Sequence, residues 1–207
     1  ITAKSWTDTG AGTFTEQAGT VTFDVAAGTI NSNEAFNNLA INHAGTTTLG
    51  AALDVNGTLT ITSGTLDVSG SNFGINVAGT WTNAGTFTPQ NGTVTFDGTS
   101  GTIDIVSGGS SFYHLIFNDA GGSATFEIES TLDVNGNLTI TGGTLDAKSG
   151  EDNNITLAGN WSNSDIFTAR GGTVTFDGTN QSITGSTTFN NLTKNEDGDN
   201  ATNNTWT

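Results

Sequence analysis

The chain has no cysteine, no methionine, a single proline and only four basic residues among 207. Without cysteine there are no disulfides and no cysteine-ligated metal, and the redox compartment is left open. Without methionine there is no initiator residue, which predicts a processed chain or a piece of a longer one. Lys4, Lys148, Arg170 and Lys194 face twenty acidic residues, for a net charge of −16. Nucleic acid is therefore excluded as a partner, because phosphate binding needs clustered cations. No run is apolar enough to span a membrane, and no signal peptide begins at Ile1. Helix formers are scarce, and no apolar pattern of period 3.6 is sustained.

What is present is strand and turn chemistry. The chain holds 40 Thr, 24 Asn and 29 Gly. Threonine favours strands, while glycine and asparagine favour tight turns. Hydrophobic residues make up 33%, a share low enough for disorder at this charge. They are, however, β-branched or aromatic and evenly spaced. In Thr93-Val94-Thr95-Phe96 and Leu138-Thr139-Ile140-Thr141, apolar and polar residues alternate, so each short strand has one apolar face.

The chain repeats itself. Trp6, Trp81 and Trp161 head three copies, and each is followed by a phenylalanine: Phe14, Phe87 and Phe167. Gly-Thr-Val-Thr-Phe-Asp recurs at 19–24, 92–97 and 172–177, and Phe-x-x-Leu at Phe36/Leu39, Phe112/Leu115 and Phe189/Leu192. Leu-Asp-Val-Asn-Gly occurs at 53–57 and 132–136, and Gly-Thr-Leu-Asp at 64–67 and 143–146. The copies run 1–79, 80–159 and 160–207, the last one partial. Each full copy reads as about nine or ten strand–turn units of about seven to ten residues.

This predicts an all-β fold. One architecture is a β-solenoid with three strands per coil, coils of roughly 20–27 residues and three to four coils per copy. The other is a string of tandem small β-sandwich domains, one per copy. The solenoid is favoured, because no linker separates the copies and the one proline, Pro89, falls in a turn. It also lets turn Asn and Thr stack as ladders along the axis.

The runs Gly-Asn-Leu-Thr-Ile-Thr-Gly-Gly-Thr-Leu-Asp (136–146) and Leu-Ala-Gly-Asn-Trp-Ser-Asn-Ser-Asp-Ile-Phe-Thr (157–168) resemble repeats of large bacterial surface proteins of the filamentous-haemagglutinin and autotransporter type. The resemblance covers nearly the whole chain, in the style of its repeat. It implies a right-handed parallel β-helix, secretion and a surface or adhesive role, and it carries no diagnostic site motif.

Candidate sites are weighed against the repeat. Asp24/Asp97/Asp177, Asp54/Asp133 and Asp67/Asp146 obey it, and read as turn caps more readily than as catalytic carboxylates. Residues that break it are His43, Tyr113, His114, Glu127, Glu129, Lys148, Glu151 and Asp152. None forms a Ser-His-Asp order, a zinc spacing or a phosphate loop, and they are expected to be drift between copies. Asn195-Glu196-Asp197-Gly198-Asp199-Asn200 is the densest set of oxygen ligands, so Asp197 and Asp199 are the candidates for Ca²⁺. Its spacing fits no standard calcium loop, and a solvated acidic turn is the competing reading. Nine Asn-x-Ser/Thr sequons occur, of which Asn200 and Asn203 lie in the least apolar stretch and are the candidates for glycosylation. The tryptophans are expected to be stacked core aromatics in preference to sugar platforms. The Thr-x-Thr pairs are expected to be ordinary outward strand residues in preference to an ice-binding rank.

The functional expectation is a non-enzymatic structural segment of an extracellular filament, stalk or cell-surface adhesin. Neither end reads as a cap, which predicts continuation into a longer repeat chain or head-to-tail assembly with copies of itself. A carbohydrate-binding or ice-binding module is the alternative, with glycans as further partners. A polysaccharide-degrading enzyme would need a unique acidic cleft.

Overall fold

The computed structural model describes residues 1–8, 10, 14–15 and 17–195, with the backbone of 205–206. These residues are all-β, and their parallel strands stack into a β-solenoid of about nine turns. Stacked neighbours lie 18 residues apart where Val21 pairs with Leu39, and 24 apart where Trp81 pairs with Ile105. At about 4.8 Å per rung, the rod is on the order of 40 Å long.

Each turn visits three walls. The first holds Thr2–Ala3, Thr20–Phe23, the opening halves of Asn38–Leu49 and Leu59–Asp67, then Trp81–Asn83, Gly101–Val106, Ala124–Ile128, Thr144–Asp146 and Ile166–Thr168. The second begins with Trp6–Asp8, Gly28–Ser32, the closing halves of the same two long strands, and Thr86–Thr88. It resumes with Leu132–Val134, Ile155–Leu157, Thr173–Phe176 and Asn191–Lys194. Between these stretches, the Ser110 hydroxyl accepts the Phe87 N–H at 3.1 Å, and Phe112 makes a single bridge to Val134. The third wall is an eight-stranded sheet from Leu53–Val55 to Thr205–Trp206. Where the two long strands bend without a break, the first two walls merge into one 12-stranded sheet.

The alternating sequence accounts for this. Inward Val, Leu, Ile and Phe pile onto the same residue types one turn away, burying apolar area at every rung. A single apolar cluster runs from Val21 to Ile183. The copies therefore share one interior and are not separate sandwiches. Tight corners demand glycine. A Cβ on Gly79 would meet the Gly57 backbone at 2.6 Å, and one on Gly159 would meet the Gly136 carbonyl oxygen at 2.2 Å. Asparagine ladders line the corners as the composition predicts: Asn137 Oδ1 accepts the Asn160 N–H at 2.9 Å, and Asn160 Oδ1 accepts the Ser182 N–H at 2.8 Å.

The repeat and the coil are out of step. The inward series Val-Leu-Leu-Trp-Ile is Val21, Leu39, Leu59, Trp81, Ile105 on the first wall. In the second copy it is Val94, Leu115, Leu138, Trp161, Ile183, on the third wall. In the third copy it restarts as Val174 and Leu192 on the second wall. Each copy thus spans eleven strand positions, or three and two-thirds turns, and its equivalents move to a different wall. The sequence predicts nine or ten units. The difference arises because Phe36 and Phe112 occupy wall positions through one bridge each, and such positions read as turn.

Candidate functional site

Charged side chains, several of which break the repeat, converge where the first wall meets the second. Asp104, Glu127 and Asp146 stand in register on three successive rungs, facing outward. Arg170 grips the last of these, with Nε 2.8 Å from Asp146 Oδ1 and Nη2 2.6 Å from Oδ2. Lys148 donates to Glu129 and lies 3.0 Å from Glu151 Oε1. Burial pushes the Glu127 carboxyl above its usual range, and the nearby Glu129 and Asp146 carboxylates add to this. Hydrogen bonds that Lys148 donates to the Glu129 and Glu151 carboxylates hold its ammonium above the usual value.

Sequence reading assigns Glu127, Glu129, Lys148, Glu151 and Asp152 to drift, whereas the structure gathers them. The signal lies in coil-length spacing: Glu129 is 19 residues from Lys148, and Asp146 is 24 from Arg170. Between the first and second copies the same device occurs with a neutral amide in place of the guanidinium. Gln90 Nε2 reaches Asp67 Oδ1 at 3.1 Å, as Arg170 reaches Asp146. Gln90 and Arg170 share positive φ, 45° and 49°, as do Ser69 and Lys148, both 65°. Asp67 and Asp146 accept the N–H two residues on, at 2.8 and 2.9 Å. These two aspartates are turn caps, and the cluster is a charged staple across coils. Among the described residues, no group of three or more acidic, His or Cys side chains is placed to hold a metal ion.

The other repeated aspartates behave differently. Asp97 and Asp177 each keep a buried Oδ1 without a hydrogen bond. Burial, then the Asp54 carboxylate, raises Asp97, and burial, then Asp177, raises Asp133. These are carboxylate pairs set two rungs apart. Asp119, in contrast, accepts N–H bonds from Gly121, Ser123 and Ala124, which hold it below the usual carboxylate range.

Both histidines are explained locally. His43 Nδ1 accepts the Gly45 N–H at 2.9 Å and its Nε2 meets Thr47 Oγ1 at 2.8 Å, bracing the bend of a long strand. His114 Nδ1 accepts the Asn137 N–H at 3.0 Å, the place Asn38 Oδ1 takes toward Thr58 in the first copy.

Trp81 and Trp161 are wholly buried, so neither is a sugar platform. They do not stack on one another, however, since each lies on its own wall. Trp81 has Phe87 at 4.9 Å and Phe112 at 5.3 Å, and Trp161 has Phe167 and Phe189 at the same two distances. Trp6 repeats the arrangement with Phe14 and Phe36 at 4.7 and 5.5 Å. The Thr-x-Thr pairs spread likewise: Thr20/Thr22, Thr93/Thr95 and Thr173/Thr175 occupy three walls, and the rank Thr2, Thr22, Thr60, Thr82 is interrupted by Ala40. The calcium candidates Asp197 and Asp199 and the glycosylation candidates Asn200 and Asn203 lie outside the described residues. Among the described residues, no helix is long and apolar enough to cross a membrane.

The fold defines an all-β repeat solenoid. No family model, curated protein or solved structure matches the chain.

Proposed function

We propose that this chain is a structural segment of an extracellular rod, either a stalk or a surface adhesin, and that its work is mechanical rather than catalytic. One observation carries this reading: the apolar ladder passes from copy to copy without a boundary, so sequence repetition becomes rod length. The staples of Lys148 and Arg170 support it, because they join successive coils on the outside. In the same reading the strand ladder is extended beyond this segment, by further coils of the chain or by copies of itself. An acidic, lysine-poor surface keeps such a rod soluble and resists lateral association.

Immunogold electron microscopy of source cells, with antibody against this chain, tests the proposal. Label along projections outside the envelope is the expected result. Label confined to the cell interior refutes it.

A further inference from the structure

The bend in Asn38–Leu49 is held by a ring that can hold it in one charge state only. His43 is 7% exposed and sits where the strand leaves the first wall for the second, between the residues at which its register shifts, Asn42 and Thr46. The Gly45 N–H can only donate, so His43 Nδ1, 2.9 Å away, presents a lone pair to it. The proton of the neutral ring is then on Nε2, which donates to the buried Thr47 Oγ1 at 2.8 Å. Both ring nitrogens are engaged. A second proton can go only to Nδ1, where it faces the Gly45 N–H and abolishes that bond.

The corner has little room to absorb the change. A Cβ on Gly45 would meet the Ala27 nitrogen at 2.6 Å, and one on Gly64 would meet the His43 and Gly45 carbonyl oxygens at 2.1 and 2.6 Å. The corner therefore touches the coil before it and the coil after it. Beyond it the strand enters the second wall, where Thr47 pairs with Gly28 on one side and Leu66 on the other. Of the adjoining corners, 24–27 brings one carboxylate, Asp24, and 62–64 brings no titratable side chain. Asp24 is exposed, so water and salt screen its field at the ring. One coil further, Lys4 approaches Gly28 through its backbone carbonyl.

The second copy fills the same place differently. Counted from Leu39 and Leu115, the residue equivalent to His43 is Asp119. Its Oδ1 accepts the N–H two residues on, from Gly121 at 2.7 Å, as His43 Nδ1 accepts that of Gly45. The Ala124 N–H, with those of Gly121 and Ser123, holds Asp119 below the usual carboxylate range. It therefore stays an acceptor in weak acid, whereas imidazole side chains change charge between about pH 5 and 8.

We infer that His43 is a pH-operated latch: the neutral ring pins the bend of the first copy, and protonation releases residues 44–46 and loosens the pairing of Gly28–Ile30 with Thr47–Leu49, while the second copy stays shut. A ring that has to be neutral in the closed corner contributes above the imidazole range, and that contribution is lost as pH falls through it. The latch is independent of whether the rod is displayed outside the cell.

The test is amide hydrogen exchange of ¹⁵N-labelled chain, with protection factors compared at about pH 7.5 and about pH 5. Protection of Gly45 and Thr47 is expected to fall roughly tenfold or more, with that of Gly121 unchanged. At the higher pH a long-range ¹H–¹⁵N correlation is expected to show His43 Nδ1 without a proton. His43→Asp supplies the acceptor of the second copy and His43→Asn a neutral one. Each is expected to hold Gly45 protection constant between the two pH values, and two variants guard against one that does not fold. Gly45 protection constant in the parent, an equal fall at Gly121, a fall in the variants matching the parent's, or a proton on Nδ1 at the higher pH would each overturn the assignment.

Discussion

Replacing Thr187 by valine removes one hydroxyl and little volume, and it tests how the aromatic clusters are held. Thr187 Oγ1 accepts from Trp161 Nε1 at 3.0 Å and from Asn163 Nδ2 at 3.0 Å. Asn163 keeps a second acceptor, the Ser186 carbonyl at 3.1 Å, but no second acceptor is seen for the fully buried Trp161 indole. Each neutral hydrogen bond contributes about 1 kcal/mol net, and a buried donor left alone costs about 1–3 kcal/mol. Roughly 2 kcal/mol of lost stability is expected, which lowers the melting temperature of a domain this size by about 4–8 °C. Thr187→Ser keeps the oxygen and is expected to stay within about 0.5 kcal/mol of the parent. The equivalent indoles of Trp6 and Trp81 are buried without a partner, so the fold survives such a loss and the variant is expected to remain folded. The assay is urea unfolding followed by tryptophan fluorescence. A Thr187→Val curve superimposable on the parent, or equal losses for valine and serine, would refute the reasoning.

Asp97→Asn is expected to stabilise the fold at neutral pH by about 0.5 kcal/mol, the screened repulsion of two charges roughly 10 Å apart near a protein surface; destabilisation in chemical unfolding would contradict the pairing with Asp54. The raised Asp97 and Asp133 bind protons more tightly folded than unfolded, so their contribution declines as pH rises through the usual carboxylate range near 3.8, and Asp97→Asn is expected to flatten that decline in stability measured from pH 3 to 6. Burial lowers His114 below its usual 6.5, so its fold contribution is present above that value and lost as pH falls through it; His114→Asn, which supplies the acceptor Asn38 uses, is expected to remove this component from a thermal-melt pH series. Excising residues 80–159 removes eleven strand positions and joins 79 to 160, so every new neighbour is equivalent to an old one; the product is expected to fold as a rod shorter by roughly 18 Å in X-ray scattering, and an unfolded product would contradict the eleven-position period.

Much of this was legible in the sequence because period-2 alternation, glycine corners and repeated motifs all describe the same unit. Val94 and Phe96 point inward as their spacing requires, and coil length follows from the distance between like strands. The phase between copy and coil was not legible, since it depends on whether corner residues such as Phe36 and Phe112 count as strand, and each contributes only one bridge. The bent strand Asn38–Leu49 was hidden for a related reason: His43 reads as drift between copies and Gly45 is of a turn-forming type, while the His43 ring supplies the acceptor that lets the chain bend and stay paired. The charged staple escaped because partners such as Glu129 and Lys148 are distant in sequence and adjacent only after winding.

The fractional phase has a consequence for where a single-sided function can arise. A motif returns to the same wall only every third copy, eleven turns or roughly 50 Å along the axis. Side chains that follow the repeat are therefore spread around the rod. An extended flat surface for ice or crystalline polysaccharide cannot be made by repetition alone, and any such surface has to come from strands within one copy. Repetition makes length, and departures from it make places. The staple at Lys148 and Arg170 is such a departure. The staple has already spent two of its carboxylates, Glu129 and Asp146, on its own cations.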